Sequence, residues 1–197
     1  SFFVLAPEYA GLEALVAGTP HEQEVMEFAE AAKKVSAVER AQGDREKHGV
    51  FTGRYVLNPV NGEKVPIWVA DYVVADYGTG AVMAVPCGDE RDFEFARKYE
   101  LPIIPIILGE DDPLFEQLKD EKARVVTEVD WDAAYDAQGI LVQSGEYTGM
   151  VGGKHSPAEE AIVAFLEKEG KGKRTVEFRL RDWLISRQRY WGNPIPA

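Results

Sequence analysis

Asp89 and Asp92 stand three residues apart in the stretch CGDERDFEFARKY. That interval puts two carboxylates on one face of a helical turn. Asp89 follows Pro86 and Gly88, where a helix N-cap belongs, and Asp92 falls in the first turn. Both then lie at the positive end of the helix dipole, which favours negative charge. A fixed carboxylate pair beside a concavity can hold an ammonium group, a metal ion or a hydroxyl. The metal reading is the weakest of these, because no further ligands stand at suitable spacing. A purely local reading competes with all three: Asp89 caps the helix and Asp92 adds dipole stabilisation, a common arrangement of acidic first turns.

The surrounding residues must aim that helix mouth. Gly78 and Gly80 permit a turn closed to other residues. Ala81 to Val85 is an apolar run expected to form a strand buried on both faces. Phe93, Phe95, Ala96 and Tyr99 give the following helix its apolar positions. Upstream, Thr52 to Leu57 and Val65 to Val74 flank Asn58 to Glu63, and the Asn-Gly inside that segment signals a hairpin. Trp68 and Tyr72 read as core residues of the hairpin. Phe2 to Ala6 is a further strand. Thr19-Pro20-His21-Glu22 and Ser156-Pro157-Ala158-Glu159 both read as capping boxes with proline at the first helical position. Val25, Phe28, Ala29 and Ala32 line one face of the first helix, and Ala161, Ile162 and Phe165 one face of the second. Leu101 to Leu108, broken by Pro102 and Pro105, is expected as an edge or irregular strand, with Arg124 to Val129, Ile140 to Gln143 and Thr175 to Leu180 as further strands. The glycines at 145, 149, 152 and 153 match no phosphate-binding fingerprint. The pattern is α+β.

Composition narrows the functional classes. The chain has 197 residues and is 45% hydrophobic, enough for one substantial core. No segment approaches the length of a membrane span. Cys87 is the single cysteine, so no internal disulfide forms; a reducing cytoplasm is the expected location. With no histidine near it in sequence, Cys87 is a poor candidate nucleophile. A formal charge of −12 argues against general nucleic-acid binding. Basic residues nevertheless gather between Lys171 and Arg189, and this one basic end reads either as a local RNA contact or as a solvated basic edge strand.

Three stretches carry a family resemblance. GTGAVMAVP with DERDFEFARKY, preceded by TGRYVLNPVNGEKVPIWVADYVVADYGTG and followed at the end by LRDWLISRQRYWGNPIP, resembles the inserted editing domain of bacterial leucyl-tRNA synthetases. FFVLAPE at the start matches more weakly. The resemblance implies a closed β-barrel-like core with peripheral helices, with residues 1–179 as an N-terminally truncated editing domain and 180–197 as the connection returning to the synthetase catalytic domain. It implies post-transfer editing, the hydrolysis of the ester joining a wrong amino acid to the 3′-terminal adenosine of leucine tRNA. The alternative is a non-catalytic module that positions tRNA and retains the fold.

Matched by position, Asp92 becomes the catalytic-site aspartate that anchors the substrate α-ammonium, and Asp89 a second acidic residue of the pocket. Met83 and Val85 become wall residues, Tyr77 a rim residue and Arg91 a neighbour of the tRNA end. Arg187 and Arg189 are the expected tRNA contacts. No cofactor is implied for editing; ATP and Mg belong to the parent synthetase domain. Gly88 replaces a histidine common in the family, and the family's threonine-rich strand lies upstream of the part matched here.

Overall fold

The computed structural model describes residues 1–40, 45–75, 79–126 and 128–175. The strand expected over 175–180 and the connection over 180–197 therefore fall, but for Thr175, outside the described residues.

Strand β1 (Phe2–Leu5) is an inner strand of a four-stranded sheet. It pairs in parallel with β3 (Lys64–Ala70), Phe3 opposite Ile67, and antiparallel with β4 (Ala81–Ala84), Phe3 opposite Met83. β2 (Gly49–Leu57) joins β3 as the expected antiparallel hairpin, giving the order β2-β3-β1-β4. Gly62 supplies the positive φ of 73° that the hairpin turn needs. Successive side chains of β1 point to opposite faces. Phe2 and Val4 enter one cluster with Tyr72, Phe93 and Phe95. Leu5, with Phe3 packed alongside, enters another with Leu12, Val16, Val25 and Ala29.

The helices explain these two faces. α1 (Leu12–Val16) and α2 (Glu22–Lys33) cover one side with Leu12, Val16, Val25, Ala29 and Ala32. α3 (Ala37–Arg40) follows, and its Arg40 is buried against Glu8. The first expected capping box does not form. Gly18 turns the chain at φ 71°, Thr19 Oγ1 donates back to the Val16 carbonyl, and α2 begins behind His21 with no side-chain cap. The other face belongs to α4 (Glu90–Lys98), which buries Phe93, Phe95 and Ala96.

A second sheet, β5 (Ile107–Leu108), β6 (Gly139–Leu141) and β7 (Val151–Gly152), is antiparallel throughout. Only the last two residues of 101–108 reach the ladder, since Pro102 and Pro105 have no N–H to donate. The stretch at 124–126 is not a strand. The N–H groups of Val125 and Val126 both donate to the Gln143 side-chain oxygen, at 2.7 Å each, in place of a neighbouring strand. α5 (Phe115–Leu118) precedes it, and α6 (Pro157–Lys168) closes over the sheet behind Ser156, whose hydroxyl accepts from Glu159 N–H as expected.

Two expectations are corrected here. Among the described residues there is no closed barrel: the sheets of four and three strands are open. β4 is therefore an edge strand, and three of its four residues are only half-buried rather than enclosed on both faces. Closure needs long strands with pairing at every edge. Here β4 stops at Pro86 and β5 is cut short by its prolines.

Gly49 marks the tightest approach of sheet and helix. A Cβ there would lie 2.6 Å from the Val69 carbonyl and 2.8 Å from the Phe95 ring. Gly49→Ala is expected to cost about 1–3 kcal/mol by overpacking, read as a lower denaturant midpoint at unchanged slope.

Candidate functional site

The site grows from the join of β4 and α4. Pro86 ends the strand, and the backbone turns with Gly88 and Asp89 N–H groups donating to the Val85 carbonyl at 2.9 and 3.1 Å. Asp89 sits at φ −137°, ψ 124° and caps α4, its Oδ1 accepting from Arg91 N–H at 2.9 Å and Asp92 N–H at 3.3 Å. The local reading of Asp89 is thus realised. Its Oδ2 stays open toward Arg91, whose Nη2 lies 3.5 Å away. Both side chains are substantially exposed.

Asp92 is different. It is 8% exposed, and both oxygens are held: Tyr72 hydroxyl donates to Oδ1 at 2.7 Å and Val85 N–H to Oδ2 at 2.9 Å. Burial pushes the Asp92 carboxyl above the ordinary aspartate range, against the pull of the helix dipole. The Tyr72 and Val85 hydrogen bonds pull it back down, the Asp89 charge adds to the rise, and Arg91 opposes it. An opposite charge arriving beside Asp92 would lower its pKa again.

The two wall candidates differ in role. Val85 is joined to Asp92 through its backbone, while its side chain is half-buried against the Phe93 cluster. Met83 lies opposite Phe3 on β4, half-buried. By strand alternation it shares the face of Phe3 and Leu5, on the side away from Phe2 and Val4. The structure thus brings Val85, Asp89, Arg91 and Asp92 into one linked group and sets Met83 two residues up the strand. Tyr77, Arg187 and Arg189 lie outside the described residues.

Gly88 has room for a side chain, since a Cβ there meets nothing nearer than the Tyr135 carbonyl at 3.7 Å. Cys87 is buried, and burial pushes its thiol up, which keeps it protonated and unsuited to nucleophilic attack. Among the described residues no group of three or more His, Cys, Asp or Glu is arranged to hold a metal ion, and no helix is long and apolar enough to cross a membrane.

Sequence reasoning missed Tyr72, which it placed in the core without a partner. A buried tyrosine must satisfy its hydroxyl, and the acidic first turn of α4 held the acceptor.

Fold and site define an α+β module built around a helix mouth that carries two carboxylates. A family model described as leucyl-tRNA synthetase, editing domain, matches residues 1–167, and the chain belongs to that family. It is 48% identical to the leucine–tRNA ligase of Nitratidesulfovibrio vulgaris and 50% identical to that of Citrifermentans bemidjiense, aligning over its whole length and spanning 22% of each. Among solved structures it is similar to the ternary complex of Agrobacterium radiobacter K84 agnB2 LeuRS with tRNA and LeuAMS. There the TM-score is 0.57 at 35% identity, over 100% of this chain and 19% of that one. The chain thus spans about a fifth of the length of these relatives.

The raised Asp92 carboxyl has a consequence for stability. A carboxyl whose folded pKa lies above its unfolded one stabilises fully below the unfolded value, and that contribution is lost as pH rises through the folded value. Denaturation of wild type and Asp92→Asn across this window is expected to show the wild type losing relative stability as pH climbs. A difference independent of pH would remove burial as the dominant influence.

Proposed function

We propose that this chain is the editing module of a leucyl-tRNA synthetase, where it hydrolyses the ester between a non-cognate amino acid and the 3′-terminal adenosine of leucine tRNA. Membership of the editing-domain family supports the reading, and the observation that carries it is the buried Asp92 carboxylate at the mouth of α4.

The need for such a site is physical. A pocket that separates similar aliphatic side chains gains only about 1–3 kcal/mol per methylene, so a second site must remove what the first accepts. In this reading Asp92 receives the α-ammonium, and Asp89 adds negative charge at the pocket mouth. Met83 and Val85 form walls, Tyr77 lines the rim and Arg91 faces the tRNA end. Asp92, fixed through both oxygens, is a poor nucleophile and a good anchor. Attack is by water, positioned by substrate hydroxyls and fixed dipoles that include the N-terminus of α4. Hydrolysis of this kind draws on no cofactor in the module; ATP and Mg serve the synthetase domain in cis.

An anchoring hydrogen bond to a charged group is worth about 1.5–3 kcal/mol. In the full-length synthetase, Asp92→Ala is therefore expected to lower deacylation of mischarged leucine tRNA by at least roughly tenfold while leaving aminoacylation in place. Wild-type deacylation in that variant sinks the assignment. tRNA bound normally by a wild-type enzyme that never deacylates it would make the chain a positioning module instead.

The basic segment is proposed to meet tRNA phosphates through Arg187 and Arg189. Neutralising both should weaken tRNA binding and flatten its salt dependence by about one slope unit per lost contact. A parallel displacement with unchanged slope would assign these arginines to packing.

A further inference from the structure

The hydroxyl of Tyr72 is a buried titratable group to which the proposed function gives no part. It lies on the turn that follows β3, 7% exposed, with its ring tilted against Phe95 at 5.5 Å between centroids. The turn is clamped from outside. Asp71 N–H donates to the His48 carbonyl and His48 N–H returns to Asp71 Oδ1, both at 2.9 Å. Asp71 Oδ2 also faces Arg45 Nη2 at 3.4 Å and His48 Nδ1 at 3.5 Å. Asp71 is itself buried, so this two-way exchange fixes where the next residue can point. Tyr72 is thus delivered to Asp92 Oδ1 by a rigid mount, and the bond it makes is short at 2.7 Å.

We infer that Tyr72 is a positioning residue of the editing site, its hydroxyl fixing the orientation of the Asp92 carboxylate and holding it in the form that accepts a substrate ammonium. The inference rests on the role proposed for Asp92. A carboxylate at the N-terminus of a helix can rotate about its last torsion, which is broad for aspartate. Val85 N–H alone would leave Oδ1 free to swing. With Tyr72 on Oδ1 and Val85 on Oδ2, the plane of the carboxylate is set.

The same bond acts on charge. Burial favours the neutral acid, which is useless to an ammonium, and a hydroxyl that donates to the carboxylate favours the ionised form. The groups facing Asp92 are Tyr72 from the β3 turn, Val85 N–H from the end of β4, and Asp89 and Arg91 from α4. Burial pushes the Tyr72 phenol far above its ordinary value, and the Asp92 charge adds to the rise. It therefore remains a donor across the range in which Asp92 titrates.

The test is the pH profile of kcat/KM for deacylation of mischarged leucine tRNA by the full-length synthetase, as wild type, Tyr72→Phe and Asp92→Ala. Tyr72→Phe keeps the ring and removes the donor. Its acid limb is expected to move up by about one pH unit, a loss of roughly tenfold below the limb, with a smaller change on the plateau above it. An unmoved limb overturns the inference, whether the rate is unchanged or lowered equally at every pH. Should Tyr72→Phe fail to fold, replacing Tyr72 by a ring-fluorinated tyrosine, a stronger donor, is expected to move the limb down, and an unmoved limb there overturns the inference equally. The Asp92→Ala arm keeps the two claims apart. If that enzyme deacylates like wild type, the role of Asp92 fails first; if it is impaired and the Tyr72 limb stays still, only the role of Tyr72 fails.

Discussion

β1 is the constraint on which everything else rests. Four residues, Phe2 to Leu5, pair on both sides and feed both apolar clusters. Removing Phe2, Val4 and Leu5 from water contributes about 1.5–3 kcal/mol each, but their placement matters more than their sum. Among the described residues, β1 is the strand that joins the hairpin to β4 in the sheet. Without it the join of β4 and α4 has no fixed direction relative to the turn that carries Tyr72.

The carboxylate of Asp92 then closes a triangle. One corner is the end of β4 through Val85, another is α4 itself, and the third is the turn after β3 through Tyr72. Each corner belongs to a separate element. A buried acid held this way resists both rotation and solvation, and a half-satisfied one would be worse than an apolar residue. The site residue is also a structural tie, so function and stability are linked at one side chain.

What the sequence made legible was local. Asp89 as the cap of α4, the strand at Ala81, the Asn-Gly hairpin and Ser156 ahead of α6 are short-range signals, and each appears where expected. The family followed from motif stretches of the same kind. The failures were non-local. α1 has only five residues behind an N-cap glycine that makes no side-chain bond, so nothing announced it. Thr19 had every mark of a cap, but the left-handed turn at Gly18 sent its hydroxyl backward. Val125 and Val126 looked like strand residues until Gln143, distant in sequence, took their N–H groups. Barrel closure depends on which edges meet, and no run of residues encodes that by itself. Tyr72 failed for a similar reason: its apolar neighbours explained its burial, while its partner lay on another element.

The parallel pairing of β1 with β3 also bears on the order of assembly. Parallel strands need a long crossover, and here α1, α2, α3 and β2 all intervene between Phe3 and its partner Ile67. The β2–β3 hairpin, whose contacts are near neighbours in sequence, can close on the order of microseconds. β1 must wait for the entropy of that larger loop to be overcome. Among the described residues β4 pairs in the sheet only with β1, so that pairing too waits on β1. During synthesis β1 precedes its partner β3 and cannot dock there until Ile67 follows. Phe2, Val4 and Leu5 wait unpaired through that interval, a period in which exposed apolar side chains favour misassociation.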